Sequence, residues 1–187
     1  MLHRAGETVD YVVTYLEMDA RPAFPRPHLP GGQAAALIAA EAPPVWYFLG
    51  LYDAVGAAYE WTDLHARPEA DLREMLAHPD VTLYTLLRSG WPHGFFLLDG
   101  RERGTVDLAW FGLVPEAIGQ GLGTFLLQTA VHGAWDRPGT RRVTVNTNTL
   151  DHPRALRLYQ KAGFAPVRRE TRSRVLTRAA ENRPALS

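Results

Sequence analysis

Apolar positions along the chain switch between a period of two and a period near 3.6. Over residues 8–18, TVDYVVTYLEM places Val9, Tyr11, Val13 and Tyr15 on one side, which predicts a first strand. RPAFPRPHLPGG (21–32) carries four prolines and two glycines and reads as an extended connector. QAAALIAAE (33–41) suits either strand or helix, because alanine favours one and its place in the order the other. VWYFLGLYDAVG (45–56) has bulky residues at 45, 48, 49 and 52, a helical spacing. EADLREMLAH (69–78) predicts an amphipathic helix, stopped by Pro79.

Strand patterns then follow closely: VTLYTLL (81–87), GFFLLD (94–99) and TVDLAWFGLV (105–114). The turns SGWPH and GRERG between them predict an antiparallel meander. A helix over about 122–135, a strand over 141–148, a helix over about 152–162 and a final strand pair around FAPVRRETRSRVL complete the order. No internal repeat is visible. The expected fold is α+β: one domain over 1–187, with a mixed, mostly antiparallel central sheet and helices on both faces. Residues 1–18 would add an N-terminal strand, and 177–187 a flexible tail.

Composition narrows the function classes. A hydrophobic content of 46% in 187 residues suffices for one sizeable core. Net charge is zero and the pI is near 7.1, so no global field favours nucleic acid or an acidic membrane. VRRETRSRVLTR (167–178) sets five arginines against one glutamate and reads as a solvated strand and tail. With no cysteine, disulfides, thiolate metal sites and a cysteine nucleophile are excluded, which fits a reducing cytoplasm. The first residues lack a signal-peptide core, and no run reaches ~18 apolar residues. Seven histidines are scattered without ligand spacing, so no metal is expected. The three serines are all outside a GxSxG elbow.

The most informative stretch is PEAIGQGLGT (115–124), where Gly119, Gly121 and Gly123 stand between a strand and a helix. Glycine costs about 0.5–1 kcal/mol relative to alanine inside regular structure. Either the chain only turns a corner there, or an anion lies against bare backbone at the helix N-terminus. No lysine is near for a Walker A loop, and no acid stands in 141–148 for a Rossmann fingerprint. The second informative stretch is DHPRALRLYQKAGF (151–164). Asp151 is read as its acidic cap and Pro153 as first-turn proline, with Ala155, Leu158, Tyr159 and Ala162 as an apolar stripe and Gly163 as the stop.

Together V-P-E-x-x-G-x-G-x-G and A-L-x-L-Y-x-x-x-G-F resemble the two hallmark segments of the GNAT acetyltransferase superfamily. The resemblance is specific over about 105–166 and extends, by element order, from about 35; it does not account for residues 1–30. It implies a sheet splayed at an acetyl-CoA site. It also implies a pyrophosphate held by main-chain amides of Ile118, Gly119, Gln120, Gly121, Leu122, Gly123 and Thr124. Ile118 stands where the family usually has arginine or glutamine, so a side-chain contribution is lost while the backbone N–H remains. Leu113 would offer its backbone to the pantetheine amides, and Asn148, with Asn146, faces the cofactor or substrate or else caps the strand end.

The implied reaction is transfer of an acetyl group from acetyl-CoA to a primary amine of a small molecule or peptide, by direct attack in a ternary complex. The alternative is a catalytically silent acyl-CoA-binding or sensing module. Tyr159 would be the general acid at the coenzyme sulfur, although it also lies on the core stripe of its helix. Asp107, embedded in an apolar strand, lies 11 residues before Ile118, the offset of the catalytic glutamate in histone-type members. One methylene shorter, it would act through a water; its other reading is a solvent-facing acid or a partner of Arg101 or Arg103, and Glu60 is the next candidate base. Trp46, Tyr47, Tyr52, Tyr59, Trp61 and Trp110 are read mostly as core, with 46–61 as the acceptor wall, to which Asp53 and Glu60 could add charge. A homodimer is compatible with this reading; nucleic acid and membrane partners are not expected.

Overall fold

The computed structural model describes residues 4–29 and 31–177. Along the chain come β1 (Thr8–Met18), β2 (Ala35–Ala40), α1 (Val45–Gly56), α2 (Glu69–Ala77), β3 (Val81–Arg88), β4 (Trp91–Asp99) and β5 (Thr105–Leu113). α3 (Leu122–Trp135), β6 (Arg142–Asn148), α4 (Ala155–Lys161) and β7 (Ala165–Val175) follow. The strands form one sheet in the order β2-β3-β4-β5-β6-β1-β7. Every neighbouring pair is antiparallel except β5 with β6.

Tertiary pairing decides what local pattern left open. The alanine-rich stretch is a strand because each residue of Ala35–Ala40 has a partner on β3, an ordering that outweighs alanine's preference for helix. The N-terminal strand lies inside the sheet, with β6 on one side and β7 on the other. One expectation fails here: FAPVRRETRSRVL contains no strand pair. It supplies the single 11-residue β7, which runs along β1 from Glu17↔Ala165 to Thr8↔Val175. No turn interrupts it because β1 is long enough to pair with all of it. Its arginines lie on an open edge, where charge discourages strand addition. The expected tail falls, apart from Thr177, outside the described residues.

Helices cover both faces. Leu97 and Leu98 are adjacent on β4 and so point to opposite sides. Leu97 pairs with Trp110, whose ring lies 5.3 Å from Phe48 of α1. On the other side Leu98 lies against Gly133 of α3. Phe48, Phe95, Phe96, Leu98 and Leu126 are fully buried in the core these layers make, and burying each such side chain contributes about 1.5–3 kcal/mol. No described helix is long and apolar enough to cross a membrane.

The feature that positions the site is the β5–β6 junction. These parallel strands pair only from Thr105↔Arg142 to Asp107↔Thr144. Just beyond, β5 carries one extra residue, Ala109, since Leu98 pairs with Leu108 and Leu97 with Trp110. A bulge bends and twists its strand, and here it turns β5 away from β6. The sheet forks, and the β5 backbone beyond Asp107 has no strand on its β6 side.

Candidate active site

A cavity of about 530 Å³ fills the fork. Its two ends differ in chemistry. At one end Leu113 closes β5, and the chain continues through Ile118 and the glycine corner into α3. Gly121 is the residue before α3 and takes φ +76°, a left-handed conformation that glycine adopts without strain. No side chain caps α3, so the first N–H groups of the helix have no intrahelical partner. Gly121, Leu122, Gly123 and Thr124 line the cavity. A Cβ built on Gly119 or Gly121 would meet nothing within 4 Å, and one on Gly123 would make only ordinary contacts with Leu113 and Leu158 at 3.8 and 3.9 Å. Unpaired amides, a positive helix end and open room are what a diphosphate requires.

The expected cofactor positions Leu113, Ile118, Gly119, Gly121, Leu122, Gly123, Thr124 and Asn148 all line this cavity. The side chain of Gln120 turns elsewhere: its Nε2 donates to the Glu116 carbonyl (2.8 Å) and its Oε1 accepts from Arg88 Nη1 (2.9 Å). Asn146 lines the cavity as well. Asn148 also shapes the strand end, accepting the Leu150 N–H at 2.8 Å through Oδ1.

Tyr159 lies between the two ends. It is 5% exposed, with Phe111 and Phe164 each 6.0 Å from its ring centre. Burial pushes its hydroxyl far above the usual phenol range, and the charges of Asp151 and Asp107 add to this. Packing in the core and access to the cavity are therefore both features of this residue.

At the far end Tyr52, Tyr59 and Trp61 form an aromatic wall, joined by Trp110. Trp46 does not belong to it: this residue is 73% exposed on the outside of α1. Tyr47 faces β3 and donates to Thr85 Oγ1 at 2.9 Å. Asp53 also lies outside the lining and pairs with His65 at 2.6 Å. Glu60 does line the cavity. It is buried, takes φ +60°, and accepts the Thr177 N–H and Oγ1–H at 2.9 and 2.8 Å. That contact ties the segment after β7 to the aromatic wall.

Asp107 is not brought into the lining. It occupies the last paired position of the fork and accepts Thr144 Oγ1–H at 2.6 Å. Arg101 pairs with Asp99 instead, at 2.6 Å. Burial raises the Asp107 pKa, opposed by the Thr144 hydrogen bond and reinforced by Asp99 and Glu102.

Asp151 departs from its expected role. α4 begins only at Ala155 with Arg154 before it and no side-chain cap, because the chain first turns through Asp151 N–H to the Asn148 carbonyl. Freed from capping, the Asp151 carboxylate faces the cavity. It accepts from Trp61 Nε1 at 3.1 Å, Thr147 Oγ1 at 2.8 Å and Asn148 N at 2.9 Å. Burial raises its pKa, with these hydrogen bonds pulling the other way. His152 and Arg174 complete this end. Sequence reasoning missed Asp151, His152 and Arg174 as cavity residues; the polar run NTNTLD leading out of a strand was the one local signal near the first two, and Arg174 comes from β7.

The chain matches the model of the Acetyltransferase (GNAT) family over residues 48–164. No curated protein matches it. Among solved structures it resembles a GCN5-related N-acetyltransferase from Kribbella flavida, at 19% identity and TM-score 0.57, over 87% of this chain and 56% of that one. A tandem GNAT protein from the clavulanic acid biosynthesis pathway matches at 19% identity and TM-score 0.61, over 98% and 56%. An aminoglycoside acetyltransferase from an uncultured soil metagenomic sample matches at 16% identity and TM-score 0.55, over 69% and 87%. These are likenesses of fold, and this chain spans little more than half the length of the first two. The matched residues contain the fork, the glycine corner and Tyr159, and by that match the chain belongs to the acetyltransferase (GNAT) family.

Proposed function

We propose that the protein is an acetyl-CoA-dependent N-acetyltransferase acting on a primary amine of a small molecule or peptide. The observation that carries this reading is one cavity with two unlike ends, an uncapped helix N-terminus facing an aromatic and acidic wall. The α3 amides would hold the coenzyme's diphosphate, and the unpaired β5 edge up to Leu113 its pantetheine amides. When bound, acetyl-CoA supplies an activated acetyl thioester. The chain contains no cysteine to accept the acetyl group, so the amine attacks the thioester directly. Tyr159, in the lining between the ends, would donate a proton to the departing thiolate. Its raised pKa keeps it protonated and ready for that donation.

Glu60, Asp63 and Asp151 outnumber Arg154 and Arg174 around this end by three to two. A cationic amine is the charge this end attracts, and Tyr59 and Trp61 offer it aromatic faces. The likeness to an aminoglycoside acetyltransferase, solved with sisomicin, puts that compound among the first amines to try. Absence of cysteine also suits a reducing cytoplasm as the place of work.

The test follows release of coenzyme A thiol from acetyl-CoA with sisomicin, spermidine, tyramine and a lysine-containing peptide. Amine-dependent thiol release, with acetylated amine identified by mass, is the expected result. Saturable acetyl-CoA binding without release for any amine would favour the silent acyl-CoA-binding module.

A further inference from the structure

The geometry points to Asp151 as the carboxylate that takes the proton from the acceptor amine. This assignment rests on the N-acetyltransferase reading above. Five carboxylates lie in or beside the cavity, and the structure separates them. Asp63 is in the lining, but its side chain is exposed and paired with Arg174 at 3.3 Å. Asp53 is outside the cavity and paired with His65. Asp107 lies at the bottom of the fork, out of the lining, and would need a water to reach an amine. Glu60 lines the cavity, but it is buried and its hydrogen bonds tie it to Thr177 beyond β7, whereas Asp151 is only partly buried. Asp151 lines the cavity and is oriented by donors from two separate parts of the chain.

Its hydrogen bonds are uneven in a useful way. Thr147 Oγ1 and Asn148 N both donate to Oδ2, whereas Trp61 Nε1 alone donates to Oδ1. An ionised carboxylate offers about four acceptor positions. Three are filled by these bonds, and the Asn148 side chain adds a further hydrogen-bonding contact to the group. The donors fix the plane of the carboxylate, and Oδ1, which holds only the Trp61 bond of the three, is the oxygen placed to meet an ammonium. Trp61 belongs to the acceptor wall and Thr147 to β6, so the same carboxylate also locks the wall against the fork.

The surrounding groups favour this role over the alternatives. His152, next in sequence, accepts the Arg154 N–H through Nδ1 at 3.1 Å, which leaves its proton on Nε2. Burial, then Arg154, lowers the His152 pKa; it is a neutral donor there. Tyr59 is pushed up to about 12 by burial and by the Asp151 charge, so it stays protonated. Tyr159 from α4 feels the same charge. Glu60 and Asp63 after α1 and Arg174 from β7 are the remaining charged groups of that end. Burial makes Asp151 a stronger base than an exposed carboxylate, which suits proton transfer near neutral pH.

The proton count closes. The ammonium gives one proton to Asp151 Oδ1, and its freed lone pair forms the C–N bond to the thioester carbonyl carbon. The C–S bond breaks, the thiolate takes the Tyr159 hydroxyl proton, and Tyr159 regains one from the acylated nitrogen. The Asp151 proton then leaves to solvent.

The experiment compares the parent protein with Asp151→Asn and Asp107→Asn, using whichever amine of the panel is acetylated, across a pH series. Expected for Asp151→Asn is a loss of about 100-fold or more in kcat/KM near neutral pH. The deficit should shrink as the pH approaches the amine's own pKa, where solution supplies the neutral amine. Calorimetric affinity for coenzyme A should stay within about threefold, and Asp107→Asn should keep the parent's pH profile. Should Asp151→Asn not fold, Thr147→Val serves. It removes one hydrogen bond to the ionised form and should move the acidic limb of the pH–rate profile to higher pH. A deficit constant with pH, an unmoved limb in Thr147→Val, or the pH-dependent loss appearing in Asp107→Asn would overturn the assignment. If the parent acetylates no amine, the function reading itself fails and takes the assignment with it.

Discussion

At the α3 end of the cavity, the groups on offer are backbone amides from one short run of sequence, residues 118–124. At the other end, the lining consists of side chains gathered from distant places. Trp61 meets Asp151 across 90 residues of chain, and Arg174 meets Thr62 across 112. On the proposed reading, the first kind of site should tolerate side-chain substitution, at Ile118 for example, because backbone amides would meet the ligand. The second can be tuned to a particular acceptor, and it breaks when one partner is removed, because a buried polar group left alone costs about 1–3 kcal/mol. On the proposed reading, this division would serve a common cosubstrate and a variable acceptor.

The contrast can be attacked from its strongest consequence downward. Tyr159→Phe keeps the ring against Phe111 and deletes only the hydroxyl. Turnover should fall by about 10²–10⁴-fold while coenzyme A affinity is kept; a fall under threefold in a kinetic assay would return Tyr159 to the core. Trp61→Phe retains an aromatic face but withdraws the donor from Asp151 Oδ1. Turnover should drop about tenfold with little change in cosubstrate KM, since the lost contact belongs to the acceptor end.

Smaller effects follow for the remaining two. Glu60→Gln replaces the buried carboxylate that holds Thr177. Thermal unfolding should show a loss of about 1–2 kcal/mol, with the glycine corner unaffected. Ile118→Ala should change coenzyme A affinity by less than about threefold, because backbone amides rather than this side chain meet the phosphates. A large loss there would erase the distinction between the two ends.

Much of this architecture was visible in the residue pattern. The strand 8–18, the helices at 45–56 and 122–135 and the meander appear where periodicity placed them, because each has a long apolar pattern buried on one side. The glycine corner was legible for a different reason: it lies within one short run, with Gly121 directly before α3. What escaped depends on partners far along the chain. β1 lies between β6 and β7, and nothing in TVDYVVTYLEM names those neighbours. The bulge at Ala109 has no glycine or proline to announce it, yet it opens the fork. Asp151 sits where a helix cap is expected and became a cavity carboxylate through Trp61, a residue no local window contains.

The central claim is that bare backbone at the start of α3 binds the cosubstrate, and one pair of titrations tests it most directly. Isothermal calorimetry with coenzyme A is run on the parent protein and on Gly123→Val, with circular dichroism and thermal unfolding checking that the variant folds. Position 123 is suitable because it lines the cavity at the start of α3 and an added Cβ meets only side-chain atoms at ordinary distances, 3.8 and 3.9 Å, so the substitution requires no backbone movement to fit its Cβ. The account predicts one-to-one binding by the parent and a loss of at least about 100-fold, near 2.7 kcal/mol, in the folded variant. No binding by the parent, or equal binding by the two, would contradict it.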